Sequence, residues 1–172
     1  MEWSHEHRLD VLLAQPEVRD LIAGAAAGAR KPESAEEFLA GLTTRGAVSV
    51  ALGVLGPIAS ELYASTGVKT GKVRRETIPA PIGTTLVRTL CSLVRNGQAL
   101  KTVKQGEDGC ILQAELPSDA WSWPGSLIIT VQRLGDATEV EVATAIRGQL
   151  FDWGKSGRRL ASLFRDLHGE PA

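Results

Sequence analysis

Reactive and diagnostic side chains are scarce in this chain of 172 residues, which holds two cysteines, three histidines, one methionine and one tyrosine. Cys91 and Cys110 lie in no metal-ligand spacing, and they fall where a helix and a strand are read. No disulfide framework is therefore expected, and the thiol usage points to a reduced, cytoplasmic setting. The charge balance is equally bare, since 19 Lys and Arg face 20 Asp and Glu. No global field attracts nucleic acid or an anionic membrane, so nucleic acid is not an expected partner. Long apolar runs are missing as well. The most apolar segment, residues 47–59, is interrupted by Gly53, Gly56 and Pro57, whereas a bilayer span needs about 20 apolar residues in a row. A buried or interfacial helix, kinked near Pro57, is expected there instead of a membrane span. The opening MEWSHEHRLD carries charge and histidine where a secretory leader would need an apolar run, so no export is expected.

What is present is patterning. Apolar residues recur at helical spacing before residue 67, whereas Val, Ile and Thr begin to alternate after it. The pattern divides the chain into a helical region (1–66), a basic linker (67–75) and an α+β domain (76–172). In the first region a helix is predicted from Ser4 to Ala14. A second begins at Pro16 with the stripe Val18, Leu21, Ile22, Ala25 and Ala29, and Gly28 is its candidate terminator. Ser34 and Glu37 form a capping box ahead of Phe38, Leu39 and Leu42, and a fourth helix is predicted from about Ala47 to Ser65.

The linker carries Lys69, Lys72, Arg74 and Arg75, which are candidate contacts for an anion and otherwise a solvated run leading into an edge strand. Beyond it, Val73 to Pro79 reads as a strand. Leu86, Val87, Leu90, Leu93 and Val94 form one helix face ended by Asn96-Gly97, with Arg88, Ser92 and Arg95 opposite. Leu100 to Gln105 and Cys110 to Leu116 read as a hairpin, as do Leu127 to Leu134 and Thr138 to Arg147. In the last strand Val140, Val142, Thr144 and Ile146 point one way and Glu139 and Glu141 the other, which predicts an antiparallel sheet with one covered face. A final helix presents Leu160, Leu163, Phe164 and Leu167 to that face.

Gly-Lys-Ser at residues 154–156 invites a phosphate-loop reading. Five residues, not four, separate Gly148 from Gly154, and they include Leu150, Phe151 and Trp153, which would fill the space a phosphate needs. Packing explains the segment better: Leu150, Phe151 and Trp153 plug the sheet end, Asp152 caps the incoming helix or holds nearby amides, and Gly154 supplies the tight turn.

A strand, a helix, a four-stranded meander and a closing helix resemble the helix-grip architecture of START and polyketide-cyclase-like carriers. The order is also similar to the small helix-grip modules of a lipoprotein of the bacterial barrel-assembly machinery. The run 122–164, with Trp123, Gly125, Asp152, Trp153, Gly154 and Lys155, resembles a recurring bacterial domain of poorly defined function. The resemblance covers about residues 70–168. One helix, not two, stands between the first and second strands, which leaves little room for a large ligand tunnel.

Chemistry is thin. His5 and His7 beside Glu2 and Glu6 have no further ligand cluster, His168 suits a helix C-terminus, and no nucleophile–base set or cofactor loop can be assembled, so no catalytic residue, metal or cofactor is assigned. Trp121, Trp123, Phe151, Trp153 and Phe164 remain as candidate contacts for a partner or an apolar ligand. The reading that results is an α+β protein used noncatalytically, as a protein-interaction or self-association module. A carrier or sensor holding a small apolar ligand between sheet and final helix is the alternative.

Overall fold

The computed structural model describes residues 2–29, 48–50, 72–116, 125–146 and 155–169. A 3₁₀ turn, Glu2–His5, precedes helices α1 (Leu9–Ala14) and α2 (Pro16–Ala27). Then follow strands β1 (Val48–Val50) and β2 (Val73–Ile78), helix α3 (Ile82–Arg95), strands β3 (Leu100–Gln105), β4 (Gly109–Leu116), β5 (Gly125–Leu134) and β6 (Ala137–Ile146), and helix α4 (Lys155–His168). The fold is α+β, with N-terminal helices followed by a sheet and the helices that pack on it.

The sheet has six strands in the order β1-β3-β4-β5-β6-β2. All neighbours are antiparallel except β1, which pairs parallel with β3, Val48 opposite Val103. Successive side chains alternate between faces. On the inner face Leu112, Ala114, Leu127, Ile129, Val131, Val140 and Val142 join one core with Leu86, Leu90 and Leu93 of α3 and with Leu160, Leu163, Phe164 and Leu167 of α4. Trp3, Leu9, Leu12, Val18 and Ile22 belong to the same core, so the N-terminal helices dock on the sheet unit.

Several local devices fix this arrangement. Pro16 opens α2, where its missing N–H costs nothing. Gly97, at φ 61, supplies the left-handed step after α3, and Gly135, also at φ 61, turns β5 into β6. Gln105 ties the start of α1 to the sheet: its Oε1 accepts from Leu9 N at 3.2 Å, and its Nε2 donates to His7 O at 2.9 Å and Gly109 O at 2.8 Å.

Four expectations need correction. The helix predicted from Ser4 to Ala14 is broken at residues 6–8, because Glu6 Oε1 accepts from the His7 and Arg8 amides and takes them out of a helical ladder. Val48–Val50 is a strand, not helix; Val-Ser-Val has β-branched character, and an apolar run alone does not distinguish the two states. The rest of that predicted helix, and the capping box at Ser34 with its helix, lie outside the described residues. Leu21 is not buried but 49% exposed, since α2 turns Val18, Ile22, Ala25 and Ala26 to the core. Finally, the outer face of the sheet is not uniformly wet: Ile111, Ile128, Ala143 and Ala145 are buried there.

Candidate functional site

A cleft of about 410 Å³ opens on the helical layer, on the side of α3 turned away from the sheet. Its floor is Thr84, Val87 and Cys91, with Arg88 and Arg95 at the rim, its wall on one side is Leu21, Gly24, Ala25 and Gly28 of α2, and Trp3 and Asp166 complete it. Helical spacing produces this division. At 100° per residue, Ile82, Leu86, Leu90 and Leu93 share the arc that meets the sheet, and Thr84, Arg88, Cys91 and Arg95 share the opposite one. On α2, Glu17, Leu21, Gly24 and Gly28 fall along the edge beside the cleft, while Val18 and Ile22 turn inward.

The wall is shallow because two of its residues are glycines. A Cβ added at Gly24 would meet nothing within 4 Å, and one at Gly28 would meet only Ala25 O at 3.8 Å. Packing within the described residues therefore does not require glycine at position 24, although glycine inside a helix costs about 0.5–1 kcal/mol relative to alanine.

Polar groups gather at the other side. Ser92 Oγ donates to Asp166 Oδ2 at 2.5 Å, Arg95 lies 3.4 Å from Asp166 Oδ1, and Arg88 donates to Leu167 O at 2.8 Å. These bonds join α3 to α4 and leave the arginine pair at the rim with one carboxylate between them. Trp3 Nε1 donates to Glu17 Oε2 at 2.9 Å and closes the apolar end. Burial pushes the Cys91 thiol up from its ordinary value; Arg95 opposes the rise and Asp166 adds to it. Cys110, wholly buried in the sheet, is pushed up to about 12. Neither thiol has the depressed pKa of a nucleophile at neutral pH.

The residues singled out from sequence do not converge on this cleft. Phe164 is buried in the core between α4 and the sheet, and the Arg74 guanidinium sits 4.9 Å from its ring centroid. Arg74 also ion-pairs Glu76, while Arg75, on the other face of β2, donates to Glu141 Oε2 at 2.9 Å and lies 3.6 Å from Glu139. Lys72 pairs its backbone with Thr144, and its Nζ would lie 3.6 Å from a Cβ on Gly157. Arg74 and Arg75 thus point to opposite faces with carboxylates of their own. Trp121, Trp123, Phe151, Trp153 and Lys69 lie outside the described residues. His5 and His7 sit near Arg133, which donates to His5 O at 2.7 Å, and among the described residues no three His, Cys, Asp or Glu are grouped to hold a metal. Among those residues, too, no helix is long and apolar enough to cross a membrane.

Sequence reasoning missed Leu21, Gly24, Cys91 and Asp166 as parts of one site. The available signal was Arg88 and Arg95 on the side of α3 away from its apolar stripe, which alone reads as a solvated face. Comparison of the chain with protein-family models, with curated proteins and with solved structures gives no match in any of the three.

Proposed function

We propose that this protein is a noncatalytic assembly module, and that the cleft between α2 and α3 is where a second copy of the chain docks. The observation that carries this reading is the self-complementarity of the α2 edge. Leu21 stands half out of the surface as an apolar knob, and Gly24 and Gly28, one and two turns along the same edge, leave a hollow of matching kind. A knob and a hole in one patch are what an isologous two-fold contact uses, each copy's Leu21 entering the other's hollow. Charge agrees: exposed Glu17 and Asp20 of α2 come with the knob, and Arg88 and Arg95 stand on the rim that would receive it.

Native mass spectrometry and sedimentation velocity test this directly. The expected result is a dimer that Leu21→Glu converts to monomer without loss of thermal stability. Alkylation of Cys91, on the cleft floor, should slow as wild-type concentration rises and stay constant in Leu21→Glu. A wild-type monomer at every concentration, with Cys91 alkylated at one rate throughout, would refute the proposal.

A second reading rests on the cleft's volume and its two-sided lining, apolar at Trp3 and Leu21 and cationic at Arg88 and Arg95, which suits a small apolar ligand with an anionic head. The same mass spectrum separates the two, because a carrier would appear as a monomer with added mass.

A further inference from the structure

The near balance of 19 Lys and Arg against 20 Asp and Glu gives no reason to expect a polyanion as partner, but the fold separates what the count averages. α3 and α4, which pack side by side, hold six of those cations and a single carboxylate, Asp166. Elsewhere cations sit beside carboxylates: Arg8 with Glu6, Arg74 with Glu76, Arg75 with Glu141 and Lys101 with Glu115. On α4 they do not. Among the described residues no carboxylate pairs with Arg158, Arg159 or Arg165, and Arg159 donates to the neutral Asn96 Oδ1 at 3.1 Å.

Helical spacing gathers these arginines on one side. Arg158 and Arg165 are two turns apart and nearly in line, with Ser162 between them and Arg159 turned toward α3. Arg158 and Arg165 are exposed, whereas Arg159 and Ser162 are half-buried. About 10 Å separates the two ends of this ridge along the helix axis. Arg95 and Arg88 of α3 continue the field toward the cleft, where Asp166 offsets one charge.

What the ridge lacks chooses among anionic partners. The exposed large apolar side chains of the described residues are Leu21, Val73 and Leu134, none of them on α4, whose own apolar stripe is buried. A protein interface centres on apolar or aromatic anchors, and a membrane-surface helix inserts an apolar face. Single-stranded nucleic acid is held by bases stacked on aromatic rings. The ridge offers none of these. It offers arginine, whose planar fork matches phosphate oxygens, and the small Ala161 and Ser162 between the arginines, which let a phosphate backbone come close.

We infer that the outer ridge of α4 binds the phosphate backbone of duplex nucleic acid without reading its sequence. Arg158 and Arg165 each take a phosphate, and Arg159 adds a third charge. None of the three lines the cleft beside α2, so this binding does not depend on how copies of the chain pair.

Fluorescence anisotropy of the full-length protein with a short labelled DNA duplex of random sequence tests this. With three phosphates neutralised, the log–log slope of affinity against salt should be near −2.7, roughly a 40-fold loss between about 50 and 200 mM. Arg158→Gln/Arg165→Gln should cut that slope to about a third, and lysine at both positions should restore it. Arg8→Gln/Lys101→Gln, which removes two exposed charges elsewhere, should leave it unchanged. No duplex binding at about 50 mM salt, or the same slope in Arg158→Gln/Arg165→Gln as in wild type, would overturn the inference. So would tighter binding of single-stranded DNA, polyglutamate or phosphatidylserine vesicles than of the duplex.

Discussion

Gly83, the second residue of α3, lies against the backbone of the N-terminal turn. A Cβ there would sit 2.2 Å from Trp3 O, 2.7 Å from Ser4 O and 2.9 Å from Glu6 O, all backbone atoms that no rotamer change can move. Gly83→Ala must push the turn away by about 1 Å to restore van der Waals distance. Overpacking of this kind costs about 1–3 kcal/mol. The ceiling is full undocking of Trp3, which is buried; at roughly 200 Å² and 25 cal/mol/Å² that is about 5 kcal/mol. We expect a loss of about 2–4 kcal/mol, which at an m-value near 2 kcal/mol/M moves the urea midpoint down by about 1–2 M. Gly24→Ala in the monomeric Leu21→Glu background is the matched control, for there the new methyl meets nothing within 4 Å and the helix gains about 0.5–1 kcal/mol. Urea unfolding followed by circular dichroism should therefore show opposite signs for the same chemical change in neighbouring helices. A Gly83→Ala midpoint equal to or above wild type would refute the claim that the turn is pressed against α3.

Gln105→Ala should cost about 1–3 kcal/mol, because it strands the buried Leu9 amide and removes the partner of the part-buried His7 carbonyl, whereas Gly109 O keeps the Gly106 amide at 2.9 Å; hydrogen exchange should show lost protection at Leu9 while β5 and β6 keep theirs. Acid stability should depend on Glu76: burial acts to raise its pKa, but hydrogen bonds and charge from His168 and Arg74 outweigh this and hold it below the ordinary carboxylate value. Its stabilisation is thus complete above the unfolded-state pKa and is lost as pH falls through the lowered folded one. Melting curves of Glu76→Gln should accordingly fall less steeply than wild type on the acid side, and parallel slopes would contradict the assignment.

The second half of the fold was legible because its signals are local. The strand starting at Val73, the helix ended by Asn96-Gly97 and the turn at Gly135 each follow from a few adjacent residues, and the observed bounds lie within a residue or a few of those predicted. β1 was not legible, because its state depends on pairing with β3 more than fifty residues away, a contact that periodicity cannot see. The break after His5 depends on the Glu6 carboxylate choosing backbone amides over solvent. The cleft was hidden for a related reason: Leu21 has the spacing of a core residue and Arg88 that of a surface one, and only the docking of α2 beside α3 makes them neighbours.

The clamp at Gln105 also sets an order of events in synthesis. Leu9 and His7 find their partners 96 and 98 residues downstream, and His5 meets Arg133 at a separation of 128. Translation proceeds at about 5–20 residues per second, so the earliest-made helices wait several seconds before the ribosome releases the surface that seats them. Their exposed apolar stripes face the crowded cell throughout that interval. A slow stretch of message placed before β3 is complete would lengthen the wait, whereas the alanine-rich composition of α2 keeps the waiting segment only modestly apolar, which reduces its tendency to stick elsewhere.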